Sequence, residues 1–230
     1  MRGVRPGAAC PAGALAVVIA FVLAGCSGLF HSSNPATQVY VLRAATHPRS
    51  ELAHAGASVY VGRPIAGPGL ESDHILLVQS DHRMSFFVGS RWPAGLPAVV
   101  EALAVDTLRA SGAWSTVQDS ASTFSSEYLL QIVIRRFEAD YSAHQDSGGS
   151  SAAPEVHVVL DCTVGRREGR QVIDSFVAEG SATASANRLG AVVSAFEDAS
   201  DKALDEIAVR TAQAVKTSQK VETPVPSMTR

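Results

Sequence analysis

The sequence predicts an α+β fold: a mostly antiparallel sheet with two long helices packed on one face, in a single domain. Two segments, Tyr128–Phe137 and Glu155–Arg166, alternate apolar and polar residues, the period that places every second side chain on one face of a strand. Two others, from Leu96 to Leu108 and from Leu189 to about Thr217, carry apolar residues at three- and four-residue steps, the stripe of an amphipathic helix. Strands, a helix, more strands and a closing helix follow one another in that order, with no internal repeat, which is an α+β arrangement.

The chain begins with a segment that does not belong to that fold. Arg2 and Arg5 precede an unbroken run of small and apolar residues, Ala12–Leu23, and Leu23-Ala24-Gly25-Cys26 closes it. A basic start, a short apolar run and small residues before a cleavage point describe an export signal over residues 1–25. The run is also short of the roughly 20 residues a membrane-crossing helix needs. Residues 26–37, rich in Ser, Gly, Asn and Pro, read as a flexible tether.

The domain is expected over residues 38–217. Val39–Leu42 reads as a first strand and Ser58–Ile65 as a second, which Pro64 ends or confines to an edge. His74–Gln79 and Met84–Val88, joined by Ser80-Asp81-His82-Arg83, form a hairpin. Trp92-Pro93 opens the first helix, since proline suits a first helical turn, and Ser111-Gly112 ends it. Ala113–Val117 is a short strand. In Glu155–Arg166, Val156, Val158, Leu160, Cys162 and Val164 face one way, and Glu168-Gly169 turns the chain into a return strand, Gln171–Ala178. The closing helix pairs Asp198 with Lys202 and Glu206 with Arg210 on its wet side. Residues 218–230 form a disordered tail.

Composition excludes several functions. The chain has 19 Lys and Arg against 22 Asp and Glu, a formal charge of −3, and loss of the signal with Arg2 and Arg5 takes it to −5. That balance offers no electrostatic footprint for nucleic acid. Of the three cysteines, Cys10 leaves with the signal and Cys26 stands at its end, so Cys162 alone remains and no intramolecular disulfide forms. The sequence has no phosphate-binding Gly-x-x-x-x-Gly-Lys-Ser/Thr loop and no His-Glu-x-x-His. Gly56-Ala57-Ser58-Val59-Tyr60 lacks the last glycine of a nucleophile elbow. Asp73–His74 and Asp81–His82 are neighbours that point to opposite faces of a strand, and Arg135-Arg136 and Arg166-Arg167 read as solvated strand ends. Catalytic, metal and cofactor residues are therefore expected to be none, and the chain is not expected to be an enzyme. Phe86, Phe87 and Trp92 gather apolar bulk near the hairpin; core is the ordinary reading, and contact with a partner or a lipid chain is the functional one.

Leu23-Ala24-Gly25-Cys26 resembles the lipobox of bacterial lipoproteins, in which the thiol takes a diacylglyceryl group, the signal is cut before the cysteine, and the new amino terminus is acylated. The resemblance makes Cys26 the lipid attachment site. Ser27 in place of Asp implies the outer membrane of a Gram-negative bacterium, facing the periplasm.

A wider resemblance follows the chain in order: Tyr40-Val41-Leu42 after the tether; Val59-Tyr60-Val61 followed by Pro64; Leu70-Glu71-Ser72-Asp73-His74-Ile75; and Met84-Ser85-Phe86-Phe87 leading to Arg91-Trp92. It continues through Ser111-Gly112-Ala113-Trp114 and Glu127-Tyr128-Leu129-Leu130 to Phe137-Glu138. These features resemble the ABC-type transport auxiliary lipoproteins, the PqiC-like components of MCE-domain and Mla-like lipid transport systems. The resemblance implies a non-catalytic subunit that works with an MCE-domain protein and an ABC permease and ATPase to move lipids between membranes. It transfers no catalytic residue and no cofactor beyond the lipid on Cys26. A structural lipoprotein of another envelope complex and a lone lipid carrier stay open as alternatives, as does homo-oligomerisation.

Overall fold

The computed structural model describes residue 3 and residues 36–45, 55–142 and 152–222. Apart from residue 3 the signal lies outside the described residues, as do Cys26, most of the tether and residues 223–230. From Thr37 on, nine strands form one mixed sheet with two helices: β1 (Gln38–Val39), β2 (Ser58–Val61), β3 (Ile65–Ala66), β4 (His74–Val78), β5 (Met84–Arg91), α1 (Leu96–Ala110), β6 (Thr116–Gln118), β7 (Tyr128–Asp140), β8 (Glu155–Arg166), β9 (Gln171–Thr183) and α2 (Leu189–Glu222).

Strand β7 is the axis. One of its edges pairs antiparallel with β8 along its whole length, and β8 pairs antiparallel with β9. Its other edge is shared by three short parallel partners in succession: β2 near Tyr128, β3 near Val133 and β4 near Ala139. Outward from these, β6 joins β2, β5 joins β4 antiparallel, and β1 joins β5. The long pairings are thus antiparallel, as the alternating segments predict, and the parallel ones are two or three residues each.

Both helices cover the face that carries Leu130, Ile132, Ile134, Val158 and Leu160, all at most 1% exposed. Residues of α1 (Val100, Leu103), β7 (Phe137), β8 (Val158, Leu160) and α2 (Ser200, Leu204) meet around one small gap in that core. Phe137, Trp92 and Phe196 of α2 form an aromatic cluster there: Phe137 and Phe196 stack at 5.1 Å, and Trp92 meets both edge-on, at 6.1 and 5.4 Å. At Gly180 the helix comes so close to the sheet that a Cβ would lie 1.9 Å from the carbonyl of Ala199. Small residues of the helix at the contact, Ala199 and Ala203, allow this approach.

The elements depart from expectation in definite ways. The second strand is split into β2 and β3, because Pro64 has no N–H for the ladder. Helix α1 opens at Leu96 with Pro97 in its first turn, not at Pro93. Trp92 instead continues the β5 margin, its N–H donating to Asp73 O at 2.7 Å. Strand β7 runs past Phe137 to Asp140 through a bulge between Ile134 and Arg136, which turns Phe137 and Ala139 back to the core. Arg135-Arg136 therefore lies within a strand and not at its end. Arg135 pairs with Asp161 of β8, and Arg136 with Glu138 and Asp140. Strand β9 extends to Thr183 and so pairs the whole of β8. Helix α2 continues past Thr217 to Glu222, its last turns held by Ser218, which accepts from Arg166 at 2.7 Å, and by Gln219, which donates to Ala55 O at 3.2 Å. Lys202 donates to Ser181 O at 2.6 Å, whereas Glu206 and Arg210 approach to 3.9 Å as the spacing predicts.

Candidate functional site

The domain receives the chain from its N-terminal segment at one margin of the sheet. There β1 aligns Gln38 and Val39 with Ser90 and Arg91 of β5, and Tyr40 N donates to Arg91 O at 2.9 Å. Strand β5 is longer than its partners, and its alternation decides what the margin shows. Met84, Phe86 and Val88 point outward, with Val88 93% exposed, while Phe87 packs half-buried against the core. Val39 and Val41 add to the same margin, each about half exposed. Gly89, with φ +68°, breaks the alternation and returns Ser90 and Trp92 to the interior.

The three aromatic residues singled out from sequence thus have different fates. Trp92 is 1% exposed and belongs to the core, so it has no surface to offer a partner. Phe87 is intermediate. Phe86 is half exposed, and the ring of His74 lies 4.5 Å from its own. Asp73 stands beside this pair, 3.7 Å from His74 Nδ1 and 3.6 Å from an Arg91 nitrogen. Adjacent residues on a regular strand would diverge. Asp73 precedes β4, whose first residues are irregularly paired, and so its carboxylate reaches both neighbours. The result is an apolar row flanked by a partly exposed Asp–His–Arg group. Val39, Val41, Met84 and Val88 were not marked by the sequence. The period-two signal at Met84–Val88 was present, but Phe86 and Phe87 are adjacent and equally apolar, so outward and inward parity could not be told apart.

The chemistry available elsewhere is limited. No group of three or more His, Cys, Asp or Glu is placed to hold a metal among the described residues. Cys162 is buried, and burial first, then the nearby Asp161 and Glu206 carboxylates, push its thiol up to about 12, the opposite of an activated nucleophile. The Ser58 hydroxyl is engaged by Glu127, donating to its carboxylate at 3.2 Å and accepting from its N–H at 3.0 Å. No described helix is long and apolar enough to cross a membrane. A cleft of about 510 Å³ lies between the start of β9 and the end of α2, with Arg166, Asp174 and Arg210 on its walls, and there Asp174 and Arg210 are paired at 3.4 Å.

Residues 40–208 match the family described as the ABC-type transport auxiliary lipoprotein component. Among solved structures, a Xanthomonas campestris protein superposes with a TM-score of 0.71 at 21% identity, covering 80% of this chain and 99% of that one. A second, described as an uncharacterized protein, gives 0.58 at 12% identity, covering 76% and 97%. At these identities the likeness is one of fold. No curated protein matches the chain by sequence.

Proposed function

The chain belongs to the ABC-type transport auxiliary lipoprotein family, and from that premise we propose that it is a non-catalytic, lipid-anchored subunit of an intermembrane phospholipid transport system, docking through the β1–β5 margin onto an MCE-domain or permease partner. One observation carries the docking assignment. The exposed apolar row of Met84, Phe86 and Val88 lies at the margin where the chain arrives from Cys26. Contiguous exposed apolar side chains mark interaction surfaces. A lipid on Cys26 would also hold this margin near a membrane, because the twelve residue steps to Gln38 span at most about 40 Å. The anchor is assigned to the outer membrane, with the domain in the periplasm, and the energy for transport comes from ATP hydrolysis on another chain.

The test is affinity purification of the solubilised, crosslinked protein. The reading predicts recovery of an MCE-domain or permease subunit, reduced by Phe86→Asp with Val88→Asp. Recovery of only the subunits of some other envelope machine would replace it with an assembly role. Cys26→Ala is expected to abolish fatty-acid labelling and release the domain from the membrane; persistent labelling would overturn the anchor.

A further inference from the structure

The face of the sheet opposite the helices carries a second site, unrelated to the β1–β5 margin. Near the β8–β9 turn the registers align Tyr60 of β2, Leu129 of β7, Gly165 of β8 and Val172 of β9 into one row across four strands. Residues so aligned share a face and touch their neighbours. Gly165 interrupts the row. It leaves a depression between Leu129 and Val172, and a Cβ there would come within 3.3 Å of the Gln171 carbonyl oxygen. A cleft of about 510 Å³ opens over this gap. Its floor is apolar at Leu129 and Val172; in the next row the Gln131 amide already donates to Arg63 O and Ile132 O, at 3.2 and 3.3 Å, and Thr163 supplies a hydroxyl.

Arginines form its rim. Arg167 and Arg170 line the cleft together with Arg166, and no carboxylate does. The guanidinium of Arg166 is turned to the helix side, where it donates to Ser218 at 2.7 Å. That of Arg167 lies 4.7 Å over the ring of Tyr60. Stacking of this kind holds a guanidinium by its face and leaves its N–H edge to bind an anion. The backbone of the turn sets where Arg170 leaves the chain. Gly169 and Arg170 both have positive φ, +70° and +52°, and Arg170 N closes the turn onto Arg167 O at 3.3 Å. A residue with a Cβ is uncommon in that conformation. The nearby carboxylates do not neutralise the rim from within: Glu168 is exposed on the turn, and Glu127 is bound by Ser58 N and Oγ at 3.1 and 3.2 Å.

We propose that this cleft binds a phosphate-bearing anion, held by Arg167 and Arg170 above the apolar gap at Gly165. Two guanidinium groups with the Thr163 hydroxyl beside them suit phosphate oxygens, which arginine engages in pairs of charge-assisted bonds. The apolar floor suits the glycerol and first methylenes of a lipid headgroup, while the rim alone would take free phosphate.

Isothermal titration of the full-length protein in phosphatidylcholine nanodiscs tests this, with inorganic phosphate in one arm and dihexanoylphosphatidylglycerol in the other. Binding in either arm is expected to weaken about tenfold or more in R167Q/R170Q, the loss of two charge-assisted contacts. R83Q/R188Q, which removes the same charge at exposed positions toward the other end of the sheet, is expected to bind as the parent does. Circular dichroism confirms that each variant is folded. Binding of the phospholipid alone would identify a headgroup site, and binding of both probes with similar affinity a phosphate site. Failure of both probes to bind, or equal behaviour of the two double variants, would overturn the proposal.

Discussion

Trp92 and Asp140 show how single residues divide between holding the fold and tuning it. Trp92 is buried against Phe137 and Phe196. Its truncation removes a large apolar side chain and leaves a cavity that the two rings cannot fill. Trp92→Ala is expected to destabilise the domain by about 3–5 kcal/mol in urea unfolding; a loss under 1 kcal/mol would show that the cluster tolerates the gap. Asp140 ends β7 with its carboxyl held below its ordinary 3.8. Burial pushes it up, but the Ser142 hydroxyl and N–H, and the Arg136 and His157 charges, outweigh burial. A group depressed in the folded state contributes stability above its unfolded value, and that contribution is lost as pH falls through the folded value. Asp140→Asn is therefore expected to lower the melting temperature at pH 7, with the difference from the parent closing as the pH is taken well below 3.8. A difference independent of pH would place the effect in packing.

At the scale of elements, the close approach of α2 to β9 is the tightest glycine contact among the described residues. Gly180→Ala places a methyl where the backbone of Ala199 already sits, and neither helix nor strand can yield without disturbing the core on both sides. The expected outcome is a loss of about 3 kcal/mol or more, or failure to fold, read by thermal unfolding; an unchanged melting temperature would mean that the helix shifts freely. This contact was not legible from the sequence, where Gly180 is one glycine in a polar stretch and its meaning depends on which helix residue faces it. Strand β8, by contrast, was legible to the residue, because its alternation is unbroken and both ends are marked by turns. Errors arose where local signals compete. Pro93 and Pro97 both suit a helix start, and the tertiary hydrogen bond from Trp92 to Asp73 decided for the second. The bulge at Arg135 reset the parity of β7, so the period that identifies the strand could not show where it stops. The same limit applies to the candidate site. Alternation located β5, but only the fold shows that Phe86 faces outward and Phe87 inward.

At the largest scale, the helix-covered sheet of the described residues carries an apolar margin at β1–β5 and an arginine-rimmed cleft on its uncovered face. They lie on different strands, so a subunit docked at one can leave the other accessible. The most direct test of the docking assignment is a photocrosslinking residue in place of Val88, introduced into the full-length protein in cells. The account predicts a dominant adduct with an MCE-domain or permease subunit, lost when the crosslinker is moved to the helix-covered side at Ser194. Adducts with neither subunit, from Val88 or from Phe86, would contradict it.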